Sequence, residues 1–298
     1  MSTPEPDAAA SAVVPVCYRH PDRETYIRCN RCERPICPDC MTSAAVGFQC
    51  PECVAEGAAS VRPVRSRLGS KVPTKPYVTY ALIGACVVVF GLQQLAAVDP
   101  RTGLDAISDQ FAMWPLGIAI YDEYDRLFTA MFLHASILHI GFNMLVLWML
   151  GPQIENVLGH VRFAILYVVA GLGGSIASFW FSAPYISGIG ASGAIFGLMG
   201  AYLVVGRRLG ADVAQVLGLV AVNVVIGFVV PGTDWRAHLG GLVTGVAVAF
   251  VMAYAPTKHR VASQVAGVVV VVAALVLFAL MRDQALTQLV IDGGGQIG

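Results

Sequence analysis

From residue 77 onward the chain is dominated by stretches with no Asp, Glu, Lys or Arg: 77–98, 127–151, 163–206, 213–232, 237–257 and 261–281. A helix that crosses the hydrocarbon of a bilayer needs about 20 apolar residues, so each stretch is long enough for one crossing and the third for two. That third stretch is interrupted across 182–191 by Pro184 and several glycines, which disfavour a continuous helix. Seven spans are therefore expected. Charged residues make up 13% of the chain and hydrophobic residues 56%, whereas a soluble domain carries about 25% charged residues. The expected fold class is an all-α polytopic membrane protein. The formal net charge is zero, which gives no reason to expect a nucleic-acid partner.

Basic residues set the expected orientation, because cytoplasmic connections are enriched in Lys and Arg. Arg62, Arg65, Arg67, Lys71 and Lys75 precede the first stretch. Arg162 follows the second, Arg207 and Arg208 the fourth span, and Lys258 and Arg260 the sixth. All fall on one side if the N-terminus is cytoplasmic. The connection 99–126 carries six acidic residues against Arg101 and Arg126 and falls on the other. The expected arrangement is N-terminus in and C-terminus out, in the plasma membrane.

Seven of the eight cysteines lie between Cys17 and Cys53. They form the series Cys17-x2-His20, Cys29-x2-Cys32, Cys37-x2-Cys40 and Cys50-x2-Cys53, which supplies eight ligands for two tetrahedral zinc ions with no open position. Closed sulfur and nitrogen sites are structural. So short a segment cannot build a sufficient core, so the metal would supply the folding energy, and a reducing cytosol disfavours disulfides. Only four residues separate Cys32 from Cys37, which hinders one ion from taking both of those pairs. The expected pairing is thus cross-braced: Cys17, His20, Cys37 and Cys40 on one ion, and Cys29, Cys32, Cys50 and Cys53 on the other. The spacing resembles a B-box-like zinc finger, whose expected role is to bind a cytosolic protein or regulate the membrane domain.

Polar residues inside membrane spans are costly and usually functional. His139, Asn143, Ser192 and His238 lie on spans that run in the same direction, at a common depth in the outer half. His139 and Asn143 are four residues apart and share a helix face. A serine hydroxyl becomes a nucleophile when a base removes its proton, and His238 can be that base. The amide N–H of Ser192 at a helix start, with His139 and Asn143, can donate to an oxyanion. Gly193-x3-Gly197 and Gly241-x3-Gly245 make small faces that allow close backbone approach. Taken singly, Ser192 reads as a helix cap, His139 and Asn143 as interhelical hydrogen-bonding residues, and Asp234 as part of an outer loop. His160 and His259 read as plain interfacial residues, and Cys86 as a small buried hydrophobe.

The set Gly190-Ala191-Ser192-Gly193, His238-x2-Gly241-x3-Gly245 and His134-x4-His139-x3-Asn143 resembles the rhomboid intramembrane serine proteases over roughly residues 77–257. The resemblance implies Ser192 as nucleophile, His238 as base, His139 and Asn143 at the oxyanion, and no catalytic cofactor. It also implies structural roles for His134, for Arg126 of the first outer loop and for Glu155 in Gly151-x3-Glu155-x3-Gly159. The implied substrates are transmembrane proteins that enter sideways from the lipid bilayer past the fifth span. Asp125 stands where the family often has Trp, and Phe196 where many members have Tyr. The expected layout is a disordered tail at 1–16, a zinc module at 17–54, a basic linker at 55–76, a six-helix core at 77–257, and a seventh helix with its tail at 258–298. The alternative functions are a non-proteolytic rhomboid-like scaffold and a zinc-dependent adaptor that binds membrane clients.

Overall fold

The computed structural model describes residues 14–61, 66, 68–69, 75–230 and 232–292. Most of the expected tail lies outside them, as do the linker residues Arg62, Arg65, Arg67 and Lys71. The chain divides after Pro63 into two compact units.

The first unit is built around its cysteines rather than around an apolar core. Two two-residue strands, β1 (Thr42–Ser43) and β2 (Phe48–Gln49), pair antiparallel, and one helix, α1 (Pro51–Ser60), follows. Ahead of Cys17 the backbone is already tied in, since the Pro15 carbonyl accepts from the Thr25 N–H at 2.8 Å. Apart from Ile36, the buried apolar residues of this unit are six of its seven cysteines.

The second unit is helical. It contains α2 (Tyr77–Leu95), α3 (Ala106–Phe111), α4 (Pro115–Tyr121), α5 (Arg126–Thr129), α6 (Ile137–Leu158), α7 (His160–Phe181), α8 (Ser192–Leu209), α9 (Ala214–Val229), α10 (Trp235–Tyr254) and α11 (Arg260–Asp292). Each expected span contains a helix. Among the described residues five apolar segments, containing α2, α6, α7, α10 and α11, are long and apolar enough to cross a membrane, and the chain is a membrane protein. The other two expected spans hold α8, which has 18 residues and carries Arg207 and Arg208 in its last turn, and α9, which has 16. The uncharged run that starts at 127 does not enter its helix until Ile137. Ser136 caps that helix by accepting from His139 N–H, and Leu127, Ala130 and Met131 are instead buried in the loop structure before it.

The centre of the unit is α8, packed against α7 and α10, with glycines making up the contact. A Cβ at Gly241 or Gly245 of α10 would collide with the carbonyl oxygen of Gly193 or Gly197 of α8. On the other face of α10, a Cβ at Gly240 would lie 2.6 Å from the Gly173 carbonyl of α7. In hydrocarbon no hydrophobic force drives helices together, so such backbone approach provides the packing. At its far end α11 is tied down by its own polar groups. Trp180 Nε1 donates to the Phe278 carbonyl at 2.7 Å, Arg282 Nε to Phe179 at 3.1 Å, and Thr287 Oγ1 to Ala119 of α4 at 3.3 Å.

Glu155 is fully buried and holds the start of α2 from the end of α6. Pro76 precedes α2 and has no side-chain acceptor for the helix's first N–H groups. Glu155 takes that role: it accepts from Val78 N–H at 3.0 Å, Thr79 N–H at 2.9 Å, and Thr79 Oγ1 at 2.6 Å. His160 Nδ1 donates at 2.5 Å to Oε1, the oxygen that also accepts from Val78; with a side chain 40% exposed, this interfacial histidine also pairs with the buried carboxylate. Removing one partner from a buried charged network costs roughly 3 kcal/mol. Glu155→Ala is therefore expected to lower the melting temperature in micelles clearly, and Glu155→Gln, which keeps one acceptor oxygen, to lower it less. Equal melting of Glu155→Ala and wild type would show that α2 is held by other contacts.

Candidate active site and metal-binding module

Ser192 opens α8 directly after a loop with little freedom. Gly188 exchanges two backbone hydrogen bonds with Met113, at 3.0 and 2.8 Å, and Gly190 N–H donates to the Ala130 carbonyl at 2.9 Å. Gly190 has φ +129°, a conformation that glycine tolerates and L side chains resist. The connection between α2 and α6 thus sets where the serine stands.

That connection is stapled in turn by Arg126, which is 5% exposed. Its Nε donates to Glu123 at 2.5 Å, and Nη1 donates to the carbonyls of Asp109 and Ala112 at 2.9 and 3.1 Å. A second staple was not singled out in the sequence. Gln93 of α2 is 3% exposed; its Oε1 accepts from His134 N–H at 3.0 Å, and its Nε2 donates to Ser108 Oγ at 2.7 Å and to the His134 carbonyl at 3.3 Å. Its signal was a side-chain amide within an uncharged apolar run. His134 is buried, its Nδ1 donates to the Phe132 carbonyl at 3.2 Å, and its ring meets His139 edge-on at 5.1 Å.

The tautomer of His139 follows from its partner. Its Nδ1 accepts from Ala135 N–H at 3.3 Å, so Nε2 carries the ring proton. That Nε2 faces Gly190: a Cβ there would lie 2.8 Å from His139 Nε2 and 3.7 Å from Ser192 Oγ. Gly190 therefore has no room for a side chain, and the His139 N–H donor and the Ser192 hydroxyl both lie within 4 Å of the point where its Cβ would stand. Asn143, one turn further along α6, is 7% exposed, and its Nδ2 has no hydrogen-bond partner among the described residues.

His238 lies in the first turns of α10. Its ring stacks on Phe196 with centroids 4.2 Å apart and planes 13° apart. Ser192 and Phe196 are four residues apart on α8 and share a face, so the imidazole lies over the face that presents the serine. His238 Nδ1 is buried without a partner among the described residues. Asp234, one turn earlier, is the last residue of the loop before α10, as expected, and caps that helix. It accepts from Arg236 and Ala237 N–H at 3.1 and 3.2 Å, and also from the Ser178 hydroxyl of α7. With its carboxylate so engaged, Asp234 does not hydrogen-bond His238, whose Nδ1 meets no carboxylate among the described residues.

In the first unit two clusters form. Cys17, His20, Cys37 and Cys40 have ligand atoms within 4.8 Å of one another, as do Cys29, Cys32, Cys50 and Cys53. His20 turns Nδ1 toward Cys37 Sγ at 3.3 Å and Cys40 Sγ at 3.4 Å. Cys29 Sγ accepts from Cys50 N–H at 3.2 Å, and Cys50 Sγ from Cys53 N–H at 3.3 Å. Burial opposes the thiolate form of Cys17 and Cys29, but backbone N–H groups outweigh it and hold both at about 6. Burial and then the neighbouring sulfurs push Cys40 up to about 11 and Cys53 up to about 12. Such crowded thiolates suit a dication, which would neutralise them, and these clusters can bind metal ions.

Comparison with protein families matches residues 121–255 to the Rhomboid domain. The chain is 36% identical over 179 residues to the rhomboid protease GluP of Bacillus subtilis (strain 168), covering 57% of this chain and 34% of that relative. It is 38% identical over 141 residues to RHOMBOID-like protein 1 of Arabidopsis thaliana, covering 45% of this chain and 36% of the relative. It is 30% identical over 185 residues to the rhomboid protease GlpG of Salmonella typhi, covering 58% of this chain and 62% of the relative. The chain thus spans about a third of the length of the first two relatives. The segment matched to the Rhomboid domain contains α6 through α10 with their glycine contacts, and with them His139, Asn143, Ser192 and His238.

Proposed function

We propose that the protein is an intramembrane serine endopeptidase that cuts transmembrane proteins with a dyad of Ser192 and His238. The observation that carries this reading is the approach of the Ser192 hydroxyl and the protonated Nε2 of His139 to the same point at Gly190, with the His238 ring stacked on the same face of α8. The relatives named as rhomboid proteases agree with it.

In this mechanism Ser192 Oγ attacks the scissile carbonyl as His238 takes its proton. The oxyanion is met by Ser192 N–H at the start of α8, by His139 Nε2–H and by the Asn143 amide, donors held in place before charge develops. His238 passes its proton to the leaving amine, and the acyl-enzyme is then hydrolysed by a water that His238 deprotonates. The Phe196 ring supplies the flat support that positions the imidazole. Of α9, only Val216, Val220 and Gly227 are buried, and this lightly packed helix next to His238 suits a lateral gate for substrate. The N-terminus is cytoplasmic and the site opens toward the outer face of the plasma membrane, as the basic residues direct. The clusters of the first unit each hold a structural zinc ion, and that unit binds a cytosolic protein.

Labelling by a fluorophosphonate probe in detergent is expected to disappear in Ser192→Ala and to drop by roughly 10³-fold or more in His238→Ala. Survival of model-substrate cleavage in Ser192→Ala would favour a non-proteolytic scaffold that only binds clients. Gly190→Ala places a methyl group against His139 Nε2 at a backbone conformation L side chains resist and is expected to lower cleavage by about 10²–10³-fold, with a thermal melt reporting whether the fold survives; unaltered turnover would place the oxyanion elsewhere. Metal analysis under reducing conditions is expected to give two zinc ions per chain and one in Cys29→Ser. Chelation should unfold the first unit without abolishing probe labelling, and fewer than two ions in wild type would refute the assignment.

A further inference from the structure

A groove of about 420 Å³ lies between α7, α10 and α11, away from the serine. Its walls are apolar and include Phe181 of α7, Leu239 and Val243 of α10, and Leu275 and Phe278 of α11. It reaches along α10 from Trp235 and Arg236 to Thr244, about 12 Å at the rise of an α-helix. The groove exists because α11 is bolted to α7 at Phe278 and Arg282, which closes the third side.

One end of this groove is cationic. The Arg236 guanidinium lies over the Trp235 ring at 5.0 Å and has no ion pair among the described residues. The neighbouring Asp234 carboxylate is taken up by two backbone N–H groups and Ser178. Arg282, one turn beyond Phe278 on α11, lies outside the groove's lining, its guanidinium 5.8 Å from the Trp180 ring. Arginine and tryptophan at one end of an apolar slot match a membrane interface, where such side chains meet headgroups. The volume falls in the range of about 300–1,000 Å³ of small-molecule sites. It is too small for a transmembrane helix, which is roughly 30 Å long and at least 10 Å across.

We infer that this groove binds one anionic phospholipid, with an acyl chain between α10 and α11 and its phosphate at Arg236. The site stands two residues before His238 on the same helix. Trp235 also stacks on Phe228 of α9 at 4.9 Å, so a bound lipid brackets both the base and the lightly packed helix beside it.

The test is native mass spectrometry of the full-length protein in detergent, titrated with phosphatidylglycerol and with phosphatidylcholine of the same chains. One phosphatidylglycerol adduct is expected to persist under activation that strips phosphatidylcholine. Arg236→Gln is expected to weaken that adduct about tenfold and to erase the preference, while Arg236→Lys retains it. Val243→Trp and Leu275→Trp, from opposite walls, should each displace the lipid, with thermal melts confirming that they fold. Equal retention of both lipids by wild type, or a phosphatidylglycerol adduct that survives both tryptophan variants, would overturn the assignment. So would a dimer lost on Val243→Trp, or displacement by a model transmembrane peptide with no headgroup preference, since these make the groove a seat for a second copy or for a helix. The readout is lipid mass, so it stands or falls independently of proteolysis.

Discussion

The membrane unit depends on the backbone contact between α8 and α10. Gly193 and Gly197 present carbonyl oxygens where Gly241 and Gly245 have no side chains. Lipid tails are as apolar as leucine, so burial in a bilayer does not bring helices together as it does in water; van der Waals contact at small residues does. This contact sets the distance between two helix starts, and those starts carry Ser192 and His238. A single methyl group on Gly241 would force the helices apart, and the Phe196 stack on His238 would be lost with them.

The serine is located less by its own helix than by the connection between α2 and α6. Arg126 gathers the carbonyls of Asp109 and Ala112, Gln93 ties α2 to His134 and Ser108, and Met113 pairs with Gly188. Irregular backbone at membrane depth is tolerated only where protein satisfies its polar groups, and these side chains do that. The same logic explains Glu155, which serves as the cap that Pro76 cannot provide. Each is a polar group on one element completing the hydrogen bonds of another.

The seventh helix has its own role. Through Phe278, Arg282 and Thr287 it holds α7 and α4, and it turns an open face of α10 into a walled groove with arginine at one end. Its contacts lie on the side of α10 opposite α8, so it adds a surface without rebuilding the site.

Much was legible in the chain itself, for identifiable reasons. Uncharged runs of about 20 residues leave only helices or barrels in a bilayer, so the helix order could be read directly. The four ligand pairs at 17–53 gave the two clusters because the short Cys32–Cys37 spacing opposes sharing one ion. Ser192, His139, Asn143 and His238 stood out because polar side chains in apolar runs are costly. What required the fold were relationships across elements. The capping of α2 by Glu155, the Gln93 staple and the engagement of Asp234 by Ser178 each depend on a partner far away in sequence. Local pattern determines which residues are apolar, polar or small; only tertiary packing decides which lone pair meets which proton, because hydrogen bonds form over about 3 Å between groups that the sequence leaves tens of residues apart.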